Sequence, residues 1–137
     1  MARILSIDYG KKRTGLAETD DLQIIASGLT TVETKELFTF IAKYIAENEV
    51  EKFVVGYPLR MNGEKSDTTI MVEEFSKKLL KKFPTIPIQM VDERMTSQMA
   101  FNTMLESGIS KKKRRDKGLI DKISATIILQ SYLEQNN

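Results

Sequence analysis

The chain has 137 residues, 41% of them apolar and 29% charged, with a formal charge of +2. That length suits one ordinary domain with a real hydrophobic core, and the composition is not that of a disordered segment. It contains no cysteine and no histidine, which excludes disulfides, thiol nucleophiles, Cys/His zinc sites and His-based triads.

Residues 2–8 (ARILSID) read as a strand entering the core, and 14–20 (TGLAETD) as its hairpin return, with Gly10 supplying a permissive backbone in the loop. Asp20-Asp21 marks a turn, and 22–32 (LQIIASGLTTV) a third strand with a bulge at Gly28. Leu37, Phe40, Ile41, Tyr44 and Ile45 then recur at helical spacing, with Thr34 as N-cap. Residues 51–56 (EKFVVG) form a short strand stopped by Gly56 and Pro58, and MNGEKS an Asn-Gly turn loop. Ser66 caps a second helix carrying Ile70, Phe75 (or Met71) and Leu79, which ends before Pro84. Residues 86–91 are a strand, 96–106 a short helix, and 119–133 a last helix, apolar around Ile120, Ile123, Ile127 and Ile128. The order β-β-β-α-β-α-β-α-α predicts an α/β fold, a five-stranded mixed sheet flanked by helices. No repeat, linker or low-complexity tract interrupts residues 1–137, so a single domain is expected. No apolar run approaches the roughly 20 residues of a membrane span, and no signal-peptide layout precedes the first strand. A cytoplasmic location is expected.

With His and Cys absent, catalysis must rest on carboxylates, Lys, Arg, hydroxyls or an ion, and carboxylate clusters suit Mg²⁺ or Mn²⁺. Asp8 ends the first strand, Asp92 and Glu93 end the fifth, and Asp121 opens the last helix on one face with Ala125, Ile128 and Tyr132. Each acid alone also has a plain reading: an Asx-turn for Asp8, a partner of Arg94 for Asp92 or Glu93, a favourable helix-dipole charge for Asp121. Together they matter more, because strand ends of open α/β sheets gather functional groups. If the fourth strand lies beside the first and the fifth beside the fourth, Asp8 and Glu93 fall about 10 Å apart at their Cα atoms. Gly56, ending the strand between them, then leaves an open floor. Ions about 3.5–4 Å apart can bridge such carboxylates in phosphodiester cleavage.

Four stretches carry a resemblance: ILSIDYGKKRTGLA, VVGYPLRMNGEKS, VDERMTS and KGLIDKISATIILQSYL. In this order they are spread over nearly the whole chain, which resembles the YqgF family of pre-16S rRNA nucleases, relatives of Holliday-junction resolvases. The resemblance implies a ribonuclease H-like fold and a metal-dependent nuclease with Asp8, Glu93 and Asp121 as its acidic set. It also implies maturation of the 5′ end of small-subunit rRNA. Tyr57 and Arg60 stand where the family pattern suggests Leu and Asn, a departure that concerns substrate contacts rather than the acids.

Cations flank these motifs. Lys11, Lys12 and Arg13 follow Asp8 and can meet a phosphate, or form a solvated hairpin tip. Arg94 can hold the scissile phosphate or pair with Asp92. Residues 111–117 (KKKRRDK) hold six cations and one anion, a solvated loop by charge alone. The resemblance moves Lys111, Lys112, Lys113, Arg114 and Arg115 toward nucleic-acid binding, together with Arg60. The expected partner is precursor ribosomal RNA, or branched DNA as in a Holliday-junction resolvase, with no membrane and a monomeric or weakly dimeric state. A non-catalytic nucleic-acid-binding module is the alternative. A phosphotransferase, suggested by the similarity of IDYGKKRTG to the phosphate loop of sugar kinases, lacks the second domain and second loop it would need.

Overall fold

The computed structural model describes residues 2–93 and 117–135, and for 117–121 the helical backbone alone. The helix expected at 96–106 lies outside the described residues. Five strands form one sheet: β1 (Arg3–Asp8), β2 (Arg13–Thr19), β3 (Ala26–Glu33), β4 (Val50–Tyr57) and β5 (Ile88–Asp92). A single 3-10 turn (Thr34–Glu36) leads into α1 (Leu37–Glu47). Helix α2 (Asp67–Lys82) joins β4 to β5, and α3 (Lys117–Gln135) closes the described chain.

The strand order is β3-β2-β1-β4-β5. β1–β2 and β2–β3 are antiparallel hairpins, whereas β1–β4 and β4–β5 are parallel, joined through helices. The adjacency on which the acids depend is therefore present. Ile4 and Ser6 of β1 face one side, Leu5 and Ile7 the other, and all four are buried. Both faces of this central strand are covered, as its near-continuous apolar run requires. Leu5, Ile7, Phe53 and Val55 pack with Leu37, Ile41, Phe75 and Leu79 under α1 and α2. Ile4, Val54 and Val91 pack with Ala125, Ile128 and Leu129 under α3. Ser6 Oγ donates to the Ala125 carbonyl (2.8 Å), and Lys52 Nζ donates to Tyr132 Oη (2.5 Å). Lys52 is paired with Ile4, so α3 runs antiparallel to β1, with its N-terminal end toward Asp8.

Four local expectations are corrected. The third strand begins at Ala26, not at residue 22, because Asp20 accepts the N–H groups of Ile24 (2.8 Å) and Ile25 (3.0 Å). Those donors cannot also serve a ladder, and Leu22, Ile24 and Ile25 are left exposed. Thr34 caps no helix, since its hydroxyl donates to the Gly10 carbonyl (2.6 Å). Ile70 is exposed, and α2 buries Thr69, Val72, Phe75, Ser76 and Leu79 instead. Gly56 lies inside β4 rather than ending it. Other expectations stand. The bulge falls at Gly28–Thr30 opposite Leu16–Ala17. Ser66 caps α2 in a reciprocal box with Thr69, and Thr69 Oγ1 also donates to the Pro58 carbonyl, fixing the exit of β4.

Candidate active site

Asp8 is the last residue of β1. By strand alternation it shares the α3 face with Ile4 and Ser6. Its neighbours across the sheet carry no side chain: β2 places Gly15 opposite it, and one step beyond the Ile7–Val55 pair lies Gly56. Gly56 pairs with Val91, and Glu93, two residues on, falls on the same face. The Glu93 N–H donates to the Tyr57 carbonyl (3.2 Å), holding this segment against the end of β4. The Glu93 side chain lies back over Gly56. A methyl group built there would collide with the Glu93 carboxylate, 2.9 Å from its Cδ, and with Ile128 Cδ1 at 2.7 Å.

This places the Glu93 carboxyl in hydrogen-bonding contact with Asp8. Burial pushes the Glu93 carboxyl up to about 9, and the charge of Asp8 and its hydrogen bond add to the rise. Near neutral pH the pair therefore holds a proton between two hard oxygen donors. That chemistry fits a divalent cation, which can replace the proton. Among the described residues no group of three or more metal-ligating side chains occurs. Asp121 enters as a backbone position: it lies one turn before Ala125, about 6 Å along the helix axis. Ala125 is tied to Ser6, and Asp8 lies two residues past Ser6, about 6.6 Å along β1. The antiparallel course of α3 carries both displacements toward the same end of the sheet.

A pH dependence follows. A carboxyl raised in the folded state contributes stability that is present below its unfolded pKa and lost as pH rises toward the folded value. Between pH 6 and 9 the metal-free protein should thus lose melting temperature as pH rises, by at most about 5 °C per pH unit. With no histidine or cysteine in the chain, few other groups titrate in that window. Glu93→Gln should flatten the slope in melts run in EDTA; an unchanged slope would remove Glu93 as its source.

The loop after Asp8 is held rigidly. The Tyr9 ring stacks on Phe75 at 4.3 Å between centroids. A Cβ at Gly10 would strike the Arg13 carbonyl, so only glycine fits. Thr34 N–H donates to the Lys12 carbonyl (2.9 Å), and its hydroxyl also meets that of Thr14 (2.9 Å). Lys11 and Lys12 are exposed and Arg13 is half-buried. With Glu33 and Lys35 they line an open cleft of about 470 Å³. Lys35, 3.3 Å from Glu33, was not anticipated; its place beside Thr34, which ties the two segments together, becomes visible only in the fold. Arg60 is exposed in the turn closed by the Gly63 N–H on its carbonyl (2.8 Å), beyond the end of β4. Arg94, Lys111, Lys112, Lys113, Arg114 and Arg115 lie outside the described residues.

The chain matches the family model described as "RuvX: Holliday junction resolvase" over residues 2–135. It is similar to a protein of Porphyromonas gingivalis named "Putative pre-16S rRNA nuclease", 58% identical over 134 residues, covering 98% of this chain and 97% of the relative. A relative of the same name in Bacteroides thetaiotaomicron is 54% identical over 134 residues, with 98% and 97% covered. Among solved structures, the chain superposes on T. thermophilus RuvC in complex with Holliday junction substrate, with a TM-score of 0.59, 14% identity, and 100% of this chain and 97% of that one covered. It superposes likewise on a Fowlpox virus resolvase bound to Holliday junction DNA, with a TM-score of 0.57, 11% identity and 98% of both chains covered. At such identities the shared property is the fold, and the expected ribonuclease H-like architecture is borne out.

Proposed function

Because the chain belongs to the RuvX family and is a nuclease that hydrolyses phosphodiester bonds, we propose that its substrate is precursor small-subunit rRNA, cut in maturing the 5′ end. Asp8, Glu93 and Asp121 form its acidic set, holding Mg²⁺ or Mn²⁺. The observation that carries this reading is the meeting of the Asp8 and Glu93 carboxyls over Gly56, at the C-terminal ends of three parallel strands. The names of relatives more than half identical over nearly the full chain supply the RNA.

A bound divalent cation supplies Lewis-acid stabilisation of the charge that builds on the phosphate during displacement. The protein's own groups do the rest. A cation held by the pair would displace the Glu93 proton, so its binding would release a proton and tighten as pH rises. Gly56 leaves the space that the Glu93 carboxyl fills beside Asp8, and Gly15 on the other side adds no side chain of its own. Lys11, Lys12 and Arg13, on a loop fixed by Thr34, hold the neighbouring backbone without reading sequence. Arg60, Arg94 and the cations at 111–115 extend that electrostatic contact. We place the protein in the cytoplasm with its RNA; no helix of the described residues is long and apolar enough to cross a membrane.

The family description favours one second reading, cleavage of branched DNA. End-labelled precursor rRNA and a four-way DNA junction, each incubated with Mg²⁺, Mn²⁺ or EDTA, separate the two. Cutting of the RNA only with an ion present is expected. Preferential cutting of the junction would make the protein a resolvase. Binding to both with cleavage of neither would make it a binding module.

A further inference from the structure

Consecutive residues at the end of β4 face opposite ways. Gly56 lies under Glu93 on the α3 side, and Tyr57 turns to the α2 side, where it packs against the core beneath α1 and α2. There, between α2 and the edge strand β5, a groove of about 610 Å³ is floored by Leu80, Ile88, Met90 and the Tyr57 ring. Its size is that of a small-molecule site. Since the Tyr57 carbonyl accepts the Glu93 N–H, the groove begins one residue from the acidic pair, around the same strand end.

We propose that this groove is a subsite for one unpaired nucleotide of the substrate strand, next to the bond that is cut; it rests on the nuclease reading above. Three observations choose that occupant. First, Ser76 lines the groove, is 8% exposed, and its Oγ has no hydrogen-bond partner among the described residues. That Oγ is closed to solvent and costly as it stands, and a turn of the side chain into the groove would pair it with a ligand atom. A nucleobase is a flat apolar ring with hydrogen-bonding atoms on its edge, which matches an apolar floor with one buried hydroxyl. Second, among the described residues the rim carries Lys65 and Lys77 against a single acid, Glu73. Glu73 is already occupied, accepting from Tyr57 Oη (2.9 Å) and paired with Lys65 (2.9 Å). The surplus positive charge suits a phosphate. Third, the groove continues from the acids, so a strand crossing the sheet end can present a phosphate to one face and the adjoining base to the other. A base stacked inside a duplex cannot enter; an unpaired one can.

The test is equilibrium binding in EDTA, without cleavage, of a short single-stranded RNA and a fully paired RNA of equal length. The variants are Ser76→Ala and Leu80→Gln, both uncharged, so general phosphate attraction is unaltered. Each is expected to weaken single-strand binding about tenfold and to leave the duplex within about twofold. Ser76→Ala should melt no lower than wild type, because it removes an unpaired hydroxyl. Unchanged single-strand binding in both variants overturns the subsite and leaves the groove to a protein partner. Equal loss on duplex and single strand overturns it too, as does a marked drop in melting temperature for Ser76→Ala. Absence of ion-dependent cleavage by wild type would sink the nuclease reading alone, since the binding measurements do not depend on it.

Discussion

Asp8→Asn is expected to lower single-turnover cleavage by about a thousandfold or more while leaving the fold intact. The substitution keeps the size and shape of the side chain and removes its charge. Asp8 sits at the end of a central strand whose core residues, Ile4, Leu5 and Ile7, are untouched. Near neutral pH its carboxyl takes part in a hydrogen bond with Glu93, which an amide of the same shape can still make. The variant should therefore melt close to wild type in EDTA. Mn²⁺ should raise the melting temperature of wild type by binding the folded state, and that rise should shrink in the variant. Glu93→Gln and Asp121→Asn belong beside it. Wild-type rates in all three would mean that the acids had been assigned wrongly. Loss of activity together with collapse of the melt would point to a structural role instead.

Gly56→Ala should separate stability from activity in the opposite way to an ordinary core mutation. The backbone at Gly56 is a regular strand position, which alanine adopts freely, and replacing a strand glycine recovers about 0.5–1 kcal/mol of backbone entropy. The new methyl group meets Ile128 Cδ1 and the Glu93 carboxyl, both the ends of side chains that can swing away. The fold can therefore accommodate it with a change of about 1 kcal/mol either way. The proposed site cannot. Glu93 must leave the floor over Gly56, and with it the contact with Asp8. A displacement of about 1 Å in such a site can cost on the order of a hundredfold in rate. The same shift should flatten the pH dependence of melting, since Glu93 would no longer be buried against Asp8. A variant with wild-type cleavage and an unchanged pH slope would show that Gly56 is not the floor of the site.

Much of this was legible in the residues themselves. Ser66 announced the start of α2, because a hydroxyl before a helical run has one favourable use there, the free N–H groups of the first turn. Gly28 marked the bulge. The alternation of β1 placed Asp8 on the face of Ile4 and Ser6 whatever lay against it. Local rules failed where a side chain served a distant partner. Thr34 resembled a helix cap but closes the Gly10 loop, 24 residues back. Asp20 took the amides that would have extended β3 to residue 22. Thr69 and Ser76 are polar residues on the buried face of α2, so an apolar count favoured Ile70, which the helix turns to solvent.

The sequence by itself narrowed the chemistry. Without histidine or cysteine, carboxylates, Lys, Arg, hydroxyls or an ion were left to carry it, and the positions of the acids at element ends follow from periodicities of two and 3.6 residues that any chain obeys. The tertiary structure decided which of those ends meet. Parallel pairing of β1 with β4 and of β4 with β5 is a long-range choice, set by burying the apolar faces of the sheet under α1, α2 and α3. That choice alone brings Glu93 over Gly56 to Asp8, 85 residues earlier in the chain. It also turned Gly56 from the apparent end of a strand into the space that a carboxylate fills.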